Sequence, residues 1–328
     1  MLESLVRAGL GLVLALQNLG EGLRPVMQFF TFLGTEEFIM LAMPAVYWCV
    51  DAALGLRLGL LIMFSASVNS TAKVLLHLPR PYWVSMQVHP WSTETSFGAP
   101  SGHAQNAVVI WSTLASHWRT RLAWAGAIFL IFFISISRLY LGVHFPFDTL
   151  LGWVLGLLVL GAGWLLTPLP AAWKRLSSGK RAALLLALVL LLVVIGSGSV
   201  MYTAATWRPP QAWRATLVQN AGQAEWDPLS VKPFFSTGGA FLGLAWGWLW
   251  LTRRGGYQAR GTAVECLKRY LVGLAGTVLL WYGLKVVFPD ALTLSAMSLR
   301  FVRYALVGWW VAGGAPALFV QWGWARME

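Results

Sequence analysis

The chain has 328 residues, of which 58% are hydrophobic and only 11% charged, with a mean hydropathy of +0.65. An ordinary soluble domain carries about 25% charged residues, so the deficit excludes a water-soluble globular protein. The net charge of +12 sits in short links between apolar runs, not in a basic patch interleaved with exposed aromatics. It therefore argues for orientation in a membrane and against nucleic-acid binding.

A bilayer crossing needs about 20 apolar residues, and about 17 suffice. The first candidate helix, 4–19, is weak. A second lies within 27–50, a third over 55–76, a fourth over 102–118, a fifth over 121–139 and a sixth over 147–166. Four more follow at 182–202, 234–252, 266–288 and 301–324. These runs are continuous, whereas barrel strands would alternate in segments of about 10 residues. The expected fold class is all-α: a polytopic transmembrane helix bundle. It comprises a six-span core in 1–166, a cytoplasmic linker at 167–181 and a four-span region in 182–328. The N-terminal stretch carries Glu3 and Arg7 and no small-residue cleavage site, so it reads as a retained helix and not a signal peptide. The segment 203–233, rich in proline, reads as the longest non-helical stretch.

Basic residues orient this bundle. Arg57, the pair Arg119 and Arg121, the group Lys174, Arg175, Lys180 and Arg181, and the group Arg253, Arg254, Arg260, Lys268 and Arg269 all fall on one face. The positive-inside rule makes that face cytoplasmic. The opposite face has fewer cations in its links: Arg24, Arg80, Arg208, Arg214, Lys232 and Arg300. The expected location is the plasma (inner) membrane, multi-pass, with the polar motifs described next on the extracytoplasmic face. The two cysteines, Cys49 and Cys266, lie near cytoplasmic links and read as unpaired structural thiols. Glycine pairs and series at Gly152/Gly156 and Gly239/Gly243/Gly247 let helices approach closely. Packing within one bundle is the simpler use of that spacing, and a homodimer seam the other.

Three polar clusters interrupt the apolar runs. Lys73 and Arg80, seven residues apart near the end of the third span, would share one face if the helix continued. The sequence Pro79-Arg80-Pro81 ends the helix around an arginine, whose planar fork suits phosphate oxygens. Pro100-Ser101-Gly102-His103 opens the fourth span, where free N–H groups and the helix dipole suit an anion. Ser101 is equally readable as a plain helix cap. Ser137-Arg138 closes the fifth span. His144 and Asp148, four residues apart, bracket the start of the sixth, so the carboxylate can hold one imidazole nitrogen and leave the other as a nucleophile. Asn69, Ser70, Gln105 and Asn106 read as interhelical hydrogen bonds. Glu36 and Glu37 mark the start of a short span, Glu94 reads as a solvated loop charge, and Lys285 as a lysine snorkelling to the interface.

The set K-x6-RP, PSGH and SR-x5-H-x3-D resembles the three-part signature of the type 2 phosphatidic acid phosphatase superfamily, with every specified position filled. The resemblance covers about 65–168 for the motifs and the six front spans for topology, and the last four spans go beyond it. It implies a membrane phosphatase that acts on a lipid phosphate or diphosphate without a metal or other cofactor. His144 would be the nucleophile of a phosphohistidine intermediate and Asp148 its orienter. His103 would protonate the leaving oxygen, while Lys73, Arg80, Arg138 and the Ser101-Gly102 backbone would bind the phosphate. Its partners would be the lipid phosphate and the surrounding membrane lipids. A lipid phosphotransferase, or a lipid transporter or scramblase on the same fold, are the alternatives.

Overall fold

The computed structural model describes residues 2–165, 173, 175–222 and 226–327. Within the expected linker at 167–181, residues 167–172 and Lys174 lie outside the described residues. Among them regular structure is helical, apart from one isolated β-bridge between Gln258 and Arg326. The helices are α1 (Leu2–Gln17), α2 (Arg24–Phe32), α3 (Glu36–Ala45), α4 (Ala52–Leu76), α5 (Pro81–Val84), α6 (Gly102–Trp118), α7 (Arg121–Tyr140) and α8 (Pro146–Leu165). They continue with α9 (Ser178–Thr206), α10 (Gln211–Ala221), α11 (Lys232–Thr252), α12 (Ala263–Val278), α13 (Leu284–Val287), α14 (Leu294–Trp309) and α15 (Ala315–Gln321).

Among the described residues, five helical segments are long and apolar enough to cross a membrane: Ala52–Val84, Arg121–Tyr140, Pro146–Trp164, Ser178–Thr206 and Ala263–Val287. A sixth is formed if Glu21–Phe32 and Glu36–Val50, bent by 49° at the break between them, count as one span. The expected second span is thus a broken helix. The expected loop at 203–233 is corrected in its middle, where α10 forms. Pro210 stands just before its first residue, a position whose missing N–H costs a helix nothing.

The chain divides into two compact units: residues 1–38, 68–161 and 196–230 in the first, and 39–67, 162–195 and 231–328 in the second. In the first unit, α6 and α7 form a hairpin. Arg119 in the left-handed conformation ends α6, and the Thr120 hydroxyl accepts from the Ala123 amide to begin α7. Helix α2 packs on α7 through Phe30, whose ring stacks on Phe133 at 5.0 Å. An aromatic cluster covers the loop end, with buried Trp83 against Phe97, Trp213 and Trp226. Asn220 of α10 donates to the carbonyls of Tyr82 and Ser85, at 3.0 and 2.8 Å. The proline-rich segment is thereby built into this unit.

In the second unit, α11 and α14 meet along the glycine series. A Cβ on Gly239, Gly243 or Gly247 would fall 2.3, 2.1 or 2.8 Å from the carbonyl oxygens of Phe301, Ala305 and Trp309. The close approach that the spacing allows is therefore used within this chain. Tyr47 and Trp48 donate to the carbonyls of Ala312 and Val311, and buried Arg269 donates to the Tyr257 hydroxyl and the Ala259 carbonyl. Cys49 and Cys266 are both free thiols.

Candidate active site

All eight residues singled out in the three motifs fall in the first unit. Lys73 sits in the last turn of α4. The helix ends at Leu76, His77 turns off with φ 39°, and Arg80 is extended at the start of α5. Lys73 and Arg80 therefore do not share a helix face as expected, because Pro79 and Pro81 turn the chain between them. They converge instead on one loop. The Lys73 ammonium donates to the Phe97 carbonyl at 2.7 Å and the Gly98 carbonyl at 3.4 Å. Fully buried Arg80 donates to the carbonyls of Ser96, Phe97 and Val143 at 2.7, 3.0 and 2.9 Å. Carbonyl oxygens hold both cations in place without cancelling their charge.

Ser101 caps α6, its hydroxyl accepting from the Ala104 amide at 3.4 Å. The Ser101 amide donates to the Asp148 carbonyl at 2.9 Å, so the second motif is bonded directly to the first turn of α8. That contact requires Gly152, where a Cβ would lie 2.6 Å from the Ser101 carbonyl oxygen. Asn69 donates to Gln105 at 2.8 Å and to the Pro100 carbonyl at 3.3 Å, which is the interhelical bonding expected of it. Gly102 packs against Asn69.

His144 lies in the link between α7 and α8. Its Nδ1 is 3.0 Å from Asp148 Oδ2, which also accepts from the Phe145 amide at 2.9 Å. Its Nε2 is 3.3 Å from an Arg80 Nη1. A guanidinium can only donate, so Nε2 carries the lone pair and the proton rests on Nδ1, shared with Asp148. Burial, reinforced by Arg80, Lys73, Arg138 and His103, holds this imidazole well below the usual histidine range, and it is neutral at pH 7.

Arg138, at the end of α7, donates to the Thr31 hydroxyl at 2.6 Å and to the Glu94 carboxylate. Glu94 was expected to be a solvated loop charge and is instead an ion-pair partner, with its side chain 29% exposed. Burial pushes its carboxyl up, but Arg138 beside it, with Arg80, His103 and Lys73, pulls it down to about 2. The Tyr82 hydroxyl donates to the Glu94 carbonyl and accepts from its amide. His103, in the first turn of α6, has a buried Nε2 with no hydrogen-bond partner among the described residues, and the same is true of Arg138 Nε. Its ring rests on Gly34, whose added Cβ would lie 2.9 Å from His103 Cδ2.

Thr31, Gly34 and Glu94 are the contributors that sequence reasoning missed. Glu94 offered one signal, an acid placed between two cationic motifs. Thr31 and Gly34 offered none, since they precede the motifs by more than thirty residues. Among the described residues, no group of three or more His, Cys, Asp or Glu side chains could hold a metal ion. The arrangement can hold a multiply charged anion on three buried cations and present an unprotonated imidazole nitrogen beside it.

The PAP2 superfamily model matches residues 54–170, and the model for the PAP2 superfamily phosphatase transmembrane extension matches 235–327. Glucose-6-phosphatase 3 of Rattus norvegicus is 29% identical over 274 residues, 74% of this chain and 75% of that protein. Phosphatidylglycerophosphatase B of Bacillus subtilis is 31% identical over 152 residues, 42% of this chain and 71% of that protein. Sphingosine-1-phosphate phosphatase 2 of Homo sapiens is 29% identical over 133 residues, 39% of this chain and 33% of that protein. A crystal structure of a transmembrane PAP2-type phosphatidylglycerolphosphate phosphatase from Bacillus subtilis is similar at 25% identity, covering 51% of this chain and 88% of that one, with a TM-score of 0.40. Motifs, matched segments and apolar helices agree: the chain belongs to the PAP2 superfamily and is an integral, multi-pass membrane phosphatase.

Proposed function

We propose that this phosphatase hydrolyses a lipid phosphate or diphosphate at the extracytoplasmic face through a phosphohistidine at His144. The observation that carries the reading is the orientation of that imidazole: Asp148 on Nδ1, the lone pair of Nε2 directed at Arg80. Lys73, Arg80, Arg138 and the Ser101-Gly102 turn would bind the phosphoryl oxygens. A phosphate oxygen then takes the Arg80 donor, which frees Nε2 to attack phosphorus. The bond to the leaving oxygen breaks as His103 gives it a proton. An incoming phosphate dianion favours the protonated form of His103 that this step requires. Water then attacks the phosphohistidine, His103 takes its proton, and inorganic phosphate leaves. Asp148 stabilises the imidazolium character that develops on His144, and the cations neutralise charge on the equatorial oxygens.

A second reading has one observation in its favour. The similarity to glucose-6-phosphatase 3 runs through 74% of this chain, against 42% and 39% for the two relatives whose names specify lipid phosphates. A water-soluble sugar phosphate is therefore the competing substrate. Phosphate release by purified protein, measured with chelator present against a polyprenyl diphosphate, a phosphatidate, a sphingoid phosphate and a hexose phosphate, separates the two. The lipid reading expects the highest kcat/KM on one of the first three, and a preference for the hexose phosphate would overturn it. An acid-labile phosphoenzyme should form in the wild type and be absent in His144→Ala. Full turnover by that variant would sink the mechanism whichever substrate wins.

A further inference from the structure

The second unit gathers another group of cations that the proposed catalysis does not use. Lys232 opens α11, Lys285 lies in α13, and Arg300 and Arg303 stand one turn apart on α14. A cleft is lined by Lys285, Phe288, Asp290, Met297, Arg300 and Arg303. Asp290 is the carboxylate in this group, and its side chain is 64% exposed. Lys232 reaches it at 3.0 Å and Arg300 at 3.8 Å. Arg300 also donates to the Ser236 hydroxyl at 2.8 Å. Arg303 is only 6% exposed, and its Nε has no hydrogen-bond partner among the described residues. Its guanidinium carbon lies 5.0 Å from the centre of the Tyr304 ring.

One mostly exposed carboxylate does not compensate four cations, because ion pairs open to solvent are weak. A buried guanidinium with an idle donor is costly unless an anion completes it. The chain next to the lining residues is apolar and open: Val286, Val287, Leu292 and Leu294 are each about 70% exposed or more. Charge in the cleft and open hydrocarbon beside it match one chemistry. We propose that this cleft is a second anion site, distinct in its residues from the cluster around His144, which takes the phosphate diester of an anionic membrane lipid. The phosphate would sit on Arg303, Arg300 and Lys232, and the acyl chains would lie along the exposed valines and leucines. Inorganic phosphate shares the charge but not the tail.

The test is thermal unfolding of the full chain in detergent, titrated separately with phosphatidylglycerol, phosphatidylcholine and inorganic phosphate. Phosphatidylglycerol should raise Tm in a saturable way and phosphatidylcholine should not. Arg303→Gln should weaken the apparent affinity about tenfold, the equivalent of ~1.4 kcal/mol. Lys232→Gln, at a partly exposed position, should weaken it severalfold and carries the test if Arg303→Gln does not fold. Arg138→Gln should leave the shift intact, which separates this site from the catalytic cluster. Equal response to both lipids, or wild-type response in both Arg303→Gln and Lys232→Gln, overturns the proposal. Protection by inorganic phosphate alone to the same extent overturns the lipid assignment.

Discussion

Gly34→Ala tests the site at a point that no motif marks. The added methyl would lie 2.9 Å from His103 Cδ2 and 3.3 Å from both Cβ and Cγ of the same residue. Ordinary contact begins near 3.4 Å, so the ring must retreat by ~0.5 Å or more. Rotating the imidazole does not relieve the clash, because His103 Cβ is fixed to α6 and is itself too close. The group proposed as proton donor would therefore be displaced from the leaving oxygen. Misplacing a catalytic group by about 1 Å costs about 100-fold, so kcat should fall roughly 10- to 100-fold. Overpacking should also lower stability by about 1–3 kcal/mol. The assay compares an aryl phosphate, whose leaving group needs little protonation, with an alkyl phosphate, whose leaving group needs it. The alkyl ester should lose most. A folded Gly34→Ala protein with wild-type kcat on the alkyl ester refutes the placement of His103 against Gly34.

The remaining predictions concern charge. Glu94→Gln leaves the buried Arg138 guanidinium without its carboxylate and should lower unfolding stability by about 2–3 kcal/mol; a Tm equal to wild type would show that the pair is immaterial. Asp148→Asn should keep the fold but lose most turnover, since an amide cannot stabilise the charged imidazole, and unchanged kcat would remove Asp148 from its role. His144 also has a signature in pH. Its folded value is depressed below the ordinary 6.5, so below about pH 6.5 the unfolded chain binds a proton that the folded one does not. Stability should then fall with falling pH in that window, with no contribution from this group above it. His144→Ala should flatten the slope of Tm between pH 6.5 and 5, and an unchanged slope would place the imidazole in a less buried setting.

The all-helical fold was legible because apolar runs of bilayer length have few other solutions. The motif residues were legible for a related reason: a polar group at the end of an apolar helix needs a purpose, and Lys73, His103, Arg138, His144 and Asp148 each stand there. What failed were inferences that carried one local rule past its end. A helical phase linked Lys73 to Arg80, but Pro79 and Pro81 had already cancelled it. Loop composition hid α10, although Pro210 is a sound helix opener. Glu94 looked solvated because pairing across 44 residues leaves no trace in spacing. The start of α3 was legible at Glu36 and Glu37, but the bend before it and the roles of Thr31 and Gly34 were not, because the partners of those two residues are distant in sequence.

That break has a bearing on where the working enzyme begins. The segment shared with the superfamily starts at residue 54, yet the hydroxyl steadying Arg138 and the glycine supporting His103 come from residues 31 and 34. A fragment trimmed to the shared segment would keep every signature residue and still lack the Thr31 hydroxyl that holds Arg138 and the Gly34 backbone that His103 rests on. Replacing the turn between α2 and α3 is then a way to disturb the surroundings of Arg138 and His103 while leaving the signature untouched.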